Sequence, residues 1–366
     1  LNKVIYFDHN ATTPIDERVL EAMLPFFSGI YGNPSSLYRL GRVARSAIDT
    51  ARQQVAALVN AKPEQVIFTS GGTEANNLAL KGCRSHAKLV MSAIEHPSVL
   101  NVKRRRKLIA VNAEGHVDLE ALEKLKANTF DVASFMLVNN ETGVIQDIEQ
   151  IADIIKAKNM LLHTDAVQAA GKIAVDFTGL NVDLLSLSSH KIYGPKGCGA
   201  LIIKDNCLRQ PQIVGGGQEL ALRAGTENVA AIVGFGKAAE LALAELSSRQ
   251  QHYQSLKDCL ENHLQKIAAV TIFAANSPRV TNTVQFAVKG CVGEMLLMQL
   301  DSNGIAVSSG SACASSDEAV SHVLTAMGVS HEDAQSAIRV SLGMQNTLED
   351  VERFVVVLKQ IINSRN

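Results

Sequence analysis

No stretch of this 366-residue chain is apolar enough for long enough to span a bilayer. The one early apolar stretch is interrupted by Asp8, His9 and Asn10, so no signal peptide is expected. An excess of one charge sign is also missing. The 35 Lys and Arg against 36 Asp and Glu leave a net charge of −1, which argues against nucleic-acid binding as the main role. The single basic run, Lys103 to Lys107, reads as a solvated helix face. The six cysteines, Cys83, Cys198, Cys207, Cys259, Cys291 and Cys313, show neither a C-x-x-C pair nor a metal-ligand rhythm. A disulfide framework and a metal site are therefore not expected, and a reducing cytoplasm is. Aromatics supply only 4% of the chain, so its core must be built from Ala, Val, Leu and Ile, as suits an α/β protein.

Strand-like and helix-like patterns alternate through the first two-thirds. Strands are expected at 66–69, 89–93, 131–138, 160–164, 183–187 and 199–203, with helices at 73–81 and 148–158. This alternation predicts a mostly parallel sheet with helices on both faces. Helices at about 229–246 and 251–267 follow. Beyond them, strands at 282–288 and 338–342 lie among helices near 293–302 and 348–362, a smaller α+β pattern. The length favours two domains. The expected division is a large domain over 13–255 and a small one from 1–12 and 256–366, the latter carrying the Cys313 segment.

Several short segments have residue types suited to chemistry. In Leu185-Ser186-Leu187-Ser188-Ser189-His190-Lys191, an apolar strand ends in hydroxyls and a lysine before a Gly/Pro-rich turn. Lys191 is either a surface lysine or an amine placed to bond an aldehyde cofactor. Thr69-Ser70-Gly71-Gly72-Thr73 leads a strand into a helix whose free N–H groups suit a phosphate, or it is a plain turn with a capping threonine. His96, fixed by Pro97, could stack on a flat ring or shuttle a proton. Asn139 and Asn140 could bind a phenolate or carboxylate, or form an Asn-rich turn. Asp165 ends an apolar strand, where a carboxylate needs a cationic partner or serves as a helix cap. Arg339, in an alternating strand, could grip a carboxylate bidentately or form a structural ion pair. Cys313 lies in Ser308-Ser309-Gly310-Ser311-Ala312-Cys313-Ala314-Ser315-Ser316, a run of small residues. The first five of these sites, excluding Arg339 and Cys313, fall at the C-terminal ends of expected strands, where ligands bind in parallel sheets.

With these residues assembled, the chain resembles the cysteine desulfurases of the NifS/IscS group, in the class V aminotransferase family. The likeness runs from Tyr6-Phe7-Asp8-His9-Asn10-Ala11-Thr12-Thr13-Pro14 through Gly32-Asn33-Pro34-Ser35-Ser36 to Arg339, with S-x-H-K and S-S-G-S-A-C as its most specific motifs. It implies a fold-type I enzyme dependent on pyridoxal 5'-phosphate, with a mostly parallel seven-stranded sheet. By this resemblance Lys191 bonds the cofactor, Asp165 pairs with its ring nitrogen, Gln168 meets its phenolate oxygen, and His96 stacks on the ring and assists proton transfer. Gly72, Thr73, Ser188 and His190 take the phosphate, with Thr226 reaching it from the neighbouring subunit of a homodimer. Arg339, Asn140 and Asn33 take the substrate carboxylate. The implied reaction converts L-cysteine to L-alanine. It leaves a persulfide on Cys313 for an acceptor protein, either an iron–sulfur scaffold or a thio-modification carrier.

The alternatives are a selenocysteine lyase or other β-eliminating relative, and a sulfur-transfer adaptor with little catalysis of its own. The chain departs from the family's usual pattern at Ala314, at Ala319-Val320 in place of Glu-Pro, and at Leu220-Ala221 in place of Arg-Gly. These departures bear on partner and turnover and leave the cofactor set intact.

Overall fold

The computed structural model describes residues 4–84, 86–102, 104–205, 207–208, 210–309 and 320–364. Its strands are β1 (Ile5–Tyr6), β2 (Val66–Thr69), β3 (Leu89–Ser92), β4 (Arg106–Ile109), β5 (Val132–Ser134), β6 (Leu161–Asp165), β7 (Leu184–Ser188), β8 (Gly199–Ile203), β9 (Val270–Ile272), β10 (Thr283–Val288), β11 (Ile305–Ala306), β12 (Ser308–Ser309) and β13 (Ala337–Ser341). Seven of them form one sheet in the order β2-β8-β7-β6-β5-β3-β4. Pairing from β7 out to β4 is parallel, while β8 runs antiparallel to both β2 and β7. The mostly parallel sheet is thus present, with one strand reversed. The reason is local: the Ser189–Cys198 link is too short for the crossover that a parallel return requires.

Both faces of this sheet are apolar because successive strand residues point to opposite sides. Phe68, Val90, Leu185 and Ile202 join one buried cluster, while Ile67, Leu89, Met91, Leu184 and Leu201 join another. Helix Gly72–Gly82 covers the second face through Leu78 and Leu80. Helices Arg39–Leu58 and Val229–Ala244 cover the first through Ile48, Val55 and Phe235. These two helices approach so closely at Gly236 that a Cβ there would meet Ala51 Cα at 2.6 Å.

A second sheet, β12-β13-β10-β9, is antiparallel throughout. Its core holds Phe7, Phe286 and Phe354, with edge-to-face ring pairs at 5.9 and 6.4 Å centroid separation. Helices Leu246–Leu264 and Leu348–Asn363 pack on it through Leu260, Leu264 and Leu358. β1 pairs in parallel with β11, beside the same core. From there the N-terminal segment crosses to the large sheet: Phe7 O accepts from Ser341 N at 2.7 Å, and Thr13 N donates to His190 O at 3.0 Å.

Two expectations need correction. The strand expected over 131–138 is regular only over Val132–Ser134, because the N–H of Met136 turns to the Glu95 carboxyl at 2.9 Å. The basic run is not a helix face. Arg106 and Lys107 belong to β4, the outer strand of the large sheet, and stand exposed. There their charges discourage edge-to-edge pairing with another chain.

The departure at Leu220-Ala221 has a visible consequence. Glu219, Leu220 and Ala221 all take positive φ, at 45°, 58° and 58°. The turn is held because the buried Glu219 carboxylate accepts from Arg52 at 2.6 and 2.9 Å and from Phe68 N at 2.8 Å. Ala221 therefore occupies a left-handed position that its Cβ opposes. Ala221→Gly is expected to raise the unfolding free energy by about 1 kcal/mol, read from urea denaturation.

Candidate active site

The parallel strands all present their C-terminal ends to one side, and a cavity of about 490 Å³ opens there. Gly72, Thr73, His96, Asn140, Asp165, Gln168, Ser188, His190, Lys191 and Arg339, all singled out from the sequence, line it. Asn33 and Thr226 do not; both are exposed, and the Asn33 side chain accepts from Ser35 N at 2.9 Å in a local turn. Cys313 lies outside the described residues.

At one end of the cavity, β2 hands the chain to helix Gly72–Gly82 through a turn that needs glycine. Gly71 has φ 155°, and a Cβ on Gly72 would meet Val167 Cγ2 at 2.9 Å. Gly199 is pressed against this turn, since a Cβ there would meet Gly71 backbone at 2.6 Å. Ser188 Oγ, on the same wall, is buried without a hydrogen-bond partner. His190 beside it is kept neutral, its pKa lowered to about 4 by burial and by Lys191 and Lys196.

Asp165 ends β6 on the cavity floor. It accepts from Asn76 Nδ2 at 2.7 Å and Val167 N at 2.9 Å, and no cation among the described residues pairs with it. The same Asn76 amide donates to Ser98 Oγ at 2.9 Å. His96 caps the turn Pro97–Leu100: its Nδ1 accepts from Ser98 N at 3.1 Å, which leaves the ring proton on Nε2. Burial lowers the His96 pKa, against the opposing effect of Asp165, so the ring stays neutral.

Lys191 leaves the end of β7, and its Nζ donates to Asn10 O at 2.6 Å and Ala11 O at 2.7 Å. Gln168 Nε2 donates to the same Asn10 carbonyl at 2.9 Å. At the opposite end stands Arg339 on β13, buried, with Nη2 on Asp8 Oδ1 at 2.6 Å and Nη1 on Asn140 O at 3.1 Å. Its Nε is buried without a partner. Glu141 is fully buried nearby and accepts from Ser321 Oγ at 2.5 Å; burial raises its pKa. Ser321 in turn caps helix His322–Ala326.

Sequence reasoning passed over Asn10, Asn76, Glu141 and Lys172. Asn10 had a visible signal, since it closes a polar triplet directly after an apolar strand. The other three join the site only through contacts with residues distant in sequence.

The class-V aminotransferase family model matches residues 5–354. The chain belongs to this family. Among relatives, the cysteine desulfurase IscS of Clostridium botulinum is 41% identical over all of this chain and 96% of its own length. The cysteine desulfurase IscS of Methanosarcina thermophila is 42% identical over 99% of this chain and 92% of its own length. Among solved structures, a NifS-like protein superposes with a TM-score of 0.92 at 37% identity, covering 98% of this chain and 99% of that one. A NifS-like protein from Rickettsia africae gives 0.91 at 39%, with the same coverage.

Glu95, next to His96 in this class-V site, is fully buried. Ser92 Oγ at 2.5 Å and Met136 N both donate to its Oε1. Burial still pushes its pKa up to about 8 from the ordinary 4.5. The folded state therefore holds a proton that the unfolded state releases. The resulting stability is fully present below the unfolded pKa and disappears as pH rises through the folded one. Wild-type unfolding free energy is expected to decline between pH 4.5 and 8 on this account. Glu95→Gln should flatten that decline, as checked by denaturation series at several pH values.

Proposed function

We propose that this chain is a cysteine desulfurase that uses pyridoxal 5'-phosphate, takes the sulfur of L-cysteine onto Cys313 and releases L-alanine. One observation carries the reading: a lysine, a buried carboxylate without a cation among the described residues and a buried arginine share one cavity, in a chain matched end to end by relatives named cysteine desulfurases.

The residues present fit the cofactor. The unpartnered Ser188 hydroxyl and the open Gly71-Gly72 turn form a cradle for phosphate, at the N-terminus of an 11-residue helix. Asp165 supplies the anion that a protonated ring nitrogen requires. Gln168 would meet the phenolate oxygen and His96 the ring face. Thr73 and His190 would join Ser188 at the phosphate. Once bound through its aldehyde carbon to Lys191, the cofactor supplies an electron sink for the substrate's α-carbon.

The chain's own residues do the rest. Arg339 lines the cavity beside Asn140 and, with it, holds the substrate carboxylate. Lys191 Nζ takes the α-proton, and neutral His96 carries its own proton on Nε2, ready to donate. The Cys313 thiolate attacks the substrate sulfur. A new S–S bond forms, the C–S bond breaks with its electron pair returning to carbon, and protonation of that carbon together with return of the α-proton from Lys191 gives alanine.

Two further parts of the reading rest on surface chemistry. Leu37 is 88% exposed and Val214 79%, and Phe27, Tyr31 and Leu220 are also in solvent. Apolar side chains this prominent fit burial in a homodimer, in which Thr226 of one subunit serves the phosphate of the other and Asn33 lies near the substrate. The division into a large unit over 13–255 and a small one from 1–12 and 256–366 is supported by the separate phenylalanine-rich core of the second sheet. The persulfide would pass to an iron–sulfur scaffold or a thio-modification carrier. The described cysteines are free thiols, in keeping with a cytoplasmic setting.

The test is incubation with L-cysteine, mass analysis of the Cys313 peptide and assay of alanine. Wild type should gain one sulfur atom on that peptide. Cys313→Ser should keep the yellow colour of bound cofactor and lose at least about 100-fold in sulfide release. Lys191→Ala should lose the wild-type absorption band. Unchanged desulfuration by Cys313→Ser would overturn the assignment of the nucleophile.

A further inference from the structure

Lys172 is the most unusual charged residue outside the set already assigned. It is buried, follows Gly171 in the turn after β6, and pairs with no carboxylate among the described residues. Its Nζ contacts two side-chain carbonyl oxygens, Gln168 Oε1 at 2.5 Å and Asn10 Oδ1 at 2.9 Å. A buried amine served only by neutral oxygens is costly to keep, and burial with the nearby Lys191 and Arg339 lowers its pKa well below the ordinary value.

These contacts fix the orientation of the Gln168 amide. Lys172 Nζ donates to both oxygens, which takes two of its N–H bonds whether or not the amine is protonated, so Gln168 turns its oxygen toward Lys172. On the other side, Gln168 Nε2 meets the Asn10 carbonyl, an acceptor only, at 2.9 Å. Rotating the amide by half a turn would set oxygen against oxygen at Asn10 and N–H against N–H at Lys172. Asn10 cannot turn to relieve this. Its Nδ2 is committed to Thr283 Oγ1 at 2.9 Å and Asn140 O at 3.1 Å, and its Oδ1 also accepts from Asn282 Nδ2 at 3.1 Å. The network therefore leaves the second N–H of Gln168, and not its oxygen, for the cavity that this residue lines.

We propose that Lys172 is a positioning residue: by holding Gln168 Oε1 it obliges Gln168 to act as a hydrogen-bond donor to the phenolate oxygen of the bound cofactor, and so sets the protonation behaviour of that cofactor. The inference rests on the pyridoxal phosphate reading above. A donor at the phenolate oxygen draws electron density from the neighbouring nitrogen, which lowers the pH at which the visible band changes. Loss of the donor raises that pH. The titratable and charged groups facing Lys172 are His9 from the N-terminal segment, Lys191 and Tyr193 after β7, Arg249 and Tyr253 from helix Leu246–Leu264, and Arg339 from β13. None is a carboxylate, so removing Lys172 leaves no new anion to mask the effect.

The experiment is a pH titration of the visible absorption band of the holoprotein for wild type, Lys172→Met, Gln168→Leu and the double variant. Lys172→Met is expected to move the midpoint up by about one pH unit, with the band still present. If Lys172 acts through Gln168, the double variant should titrate with Gln168→Leu alone, a non-additive cycle. Where Lys172→Met yields no folded holoprotein, Lys172→Gln, whose amide ends one bond short of Gln168, replaces it with the same expected direction. An unmoved midpoint in the folded variant, or additive shifts, would overturn the role of Lys172. A wild-type protein with no visible band on loading would instead overturn the cofactor reading itself, so the two failures are distinct.

Discussion

Asn10 ties the two sheets and both ends of the cavity together. It is buried, and every polar atom it has is used. Its N–H donates to Ser341 Oγ at 3.0 Å, and its carbonyl takes Lys191 and Gln168. Its side-chain oxygen takes Lys172 and Asn282, and its amide reaches Asn140 and Thr283. Ser341, Asn282 and Thr283 belong to the region of the second sheet, while Lys191, Gln168 and Lys172 belong to the large one. One residue therefore sets the spacing between the lysine and the arginine. Unsatisfied, any of these buried groups would cost about 1–3 kcal/mol, so a rearrangement at Asn10 is opposed from several directions at once.

This explains why the N-terminal segment crosses from one sheet to the other before the large sheet begins. Its short strand β1 contributes little pairing of its own. What the segment delivers is Asp8 to Arg339 and Asn10 to Lys191 within three residues of chain. Small errors in the position of a catalytic group reduce rates steeply, and a direct strap between the two groups limits them better than packing between separate cores.

The elements were largely legible in the sequence because their signals are local. β8 and helix Gly293–Ser302 lie where periodicity places them. The ends of β2, β6 and β7 deliver Gly72, Asp165 and Lys191 to one side because their common direction follows from the alternation of strands and helices. The reversal of β8 was decided by the length of the Ser189–Cys198 link, a feature that periodicity ignores. The basic run was misread because an edge strand and a solvated helix face both expose charge. Lys172 was illegible for another reason: in sequence it is a lysine after a glycine, indistinguishable from a surface turn. Only the return of Asn10 from across the chain encloses it. The turn at Leu220-Ala221 shows the converse. The sequence departs from glycine there, yet the backbone keeps the left-handed path because Glu219 is pinned by Arg52 and Phe68 N.

The charges around the cavity form a pattern that favours one orientation of its contents. Lys191, Lys172 and Arg339 lie along one side of the network, and Arg339 is bound to the Asp8 carboxylate. Burial works against the charged forms of the neighbouring titratable groups. Burial lowers the pKa of His96 and His190 and raises that of Glu95 and Glu141. The one anion on the floor is Asp165, reached by Asn76 rather than by a cation. On the proposed reading, a ring with a cationic nitrogen at one edge and an oxyanion at another would bring the nitrogen to Asp165 and the oxyanion to the Gln168 donor. Reversing that ring would set an oxyanion against Asp165, a like-charge contact in a low-dielectric site. Orientation on that reading would follow from the Asp165 carboxylate, with burial of the neighbouring acids and histidines holding competing charges down.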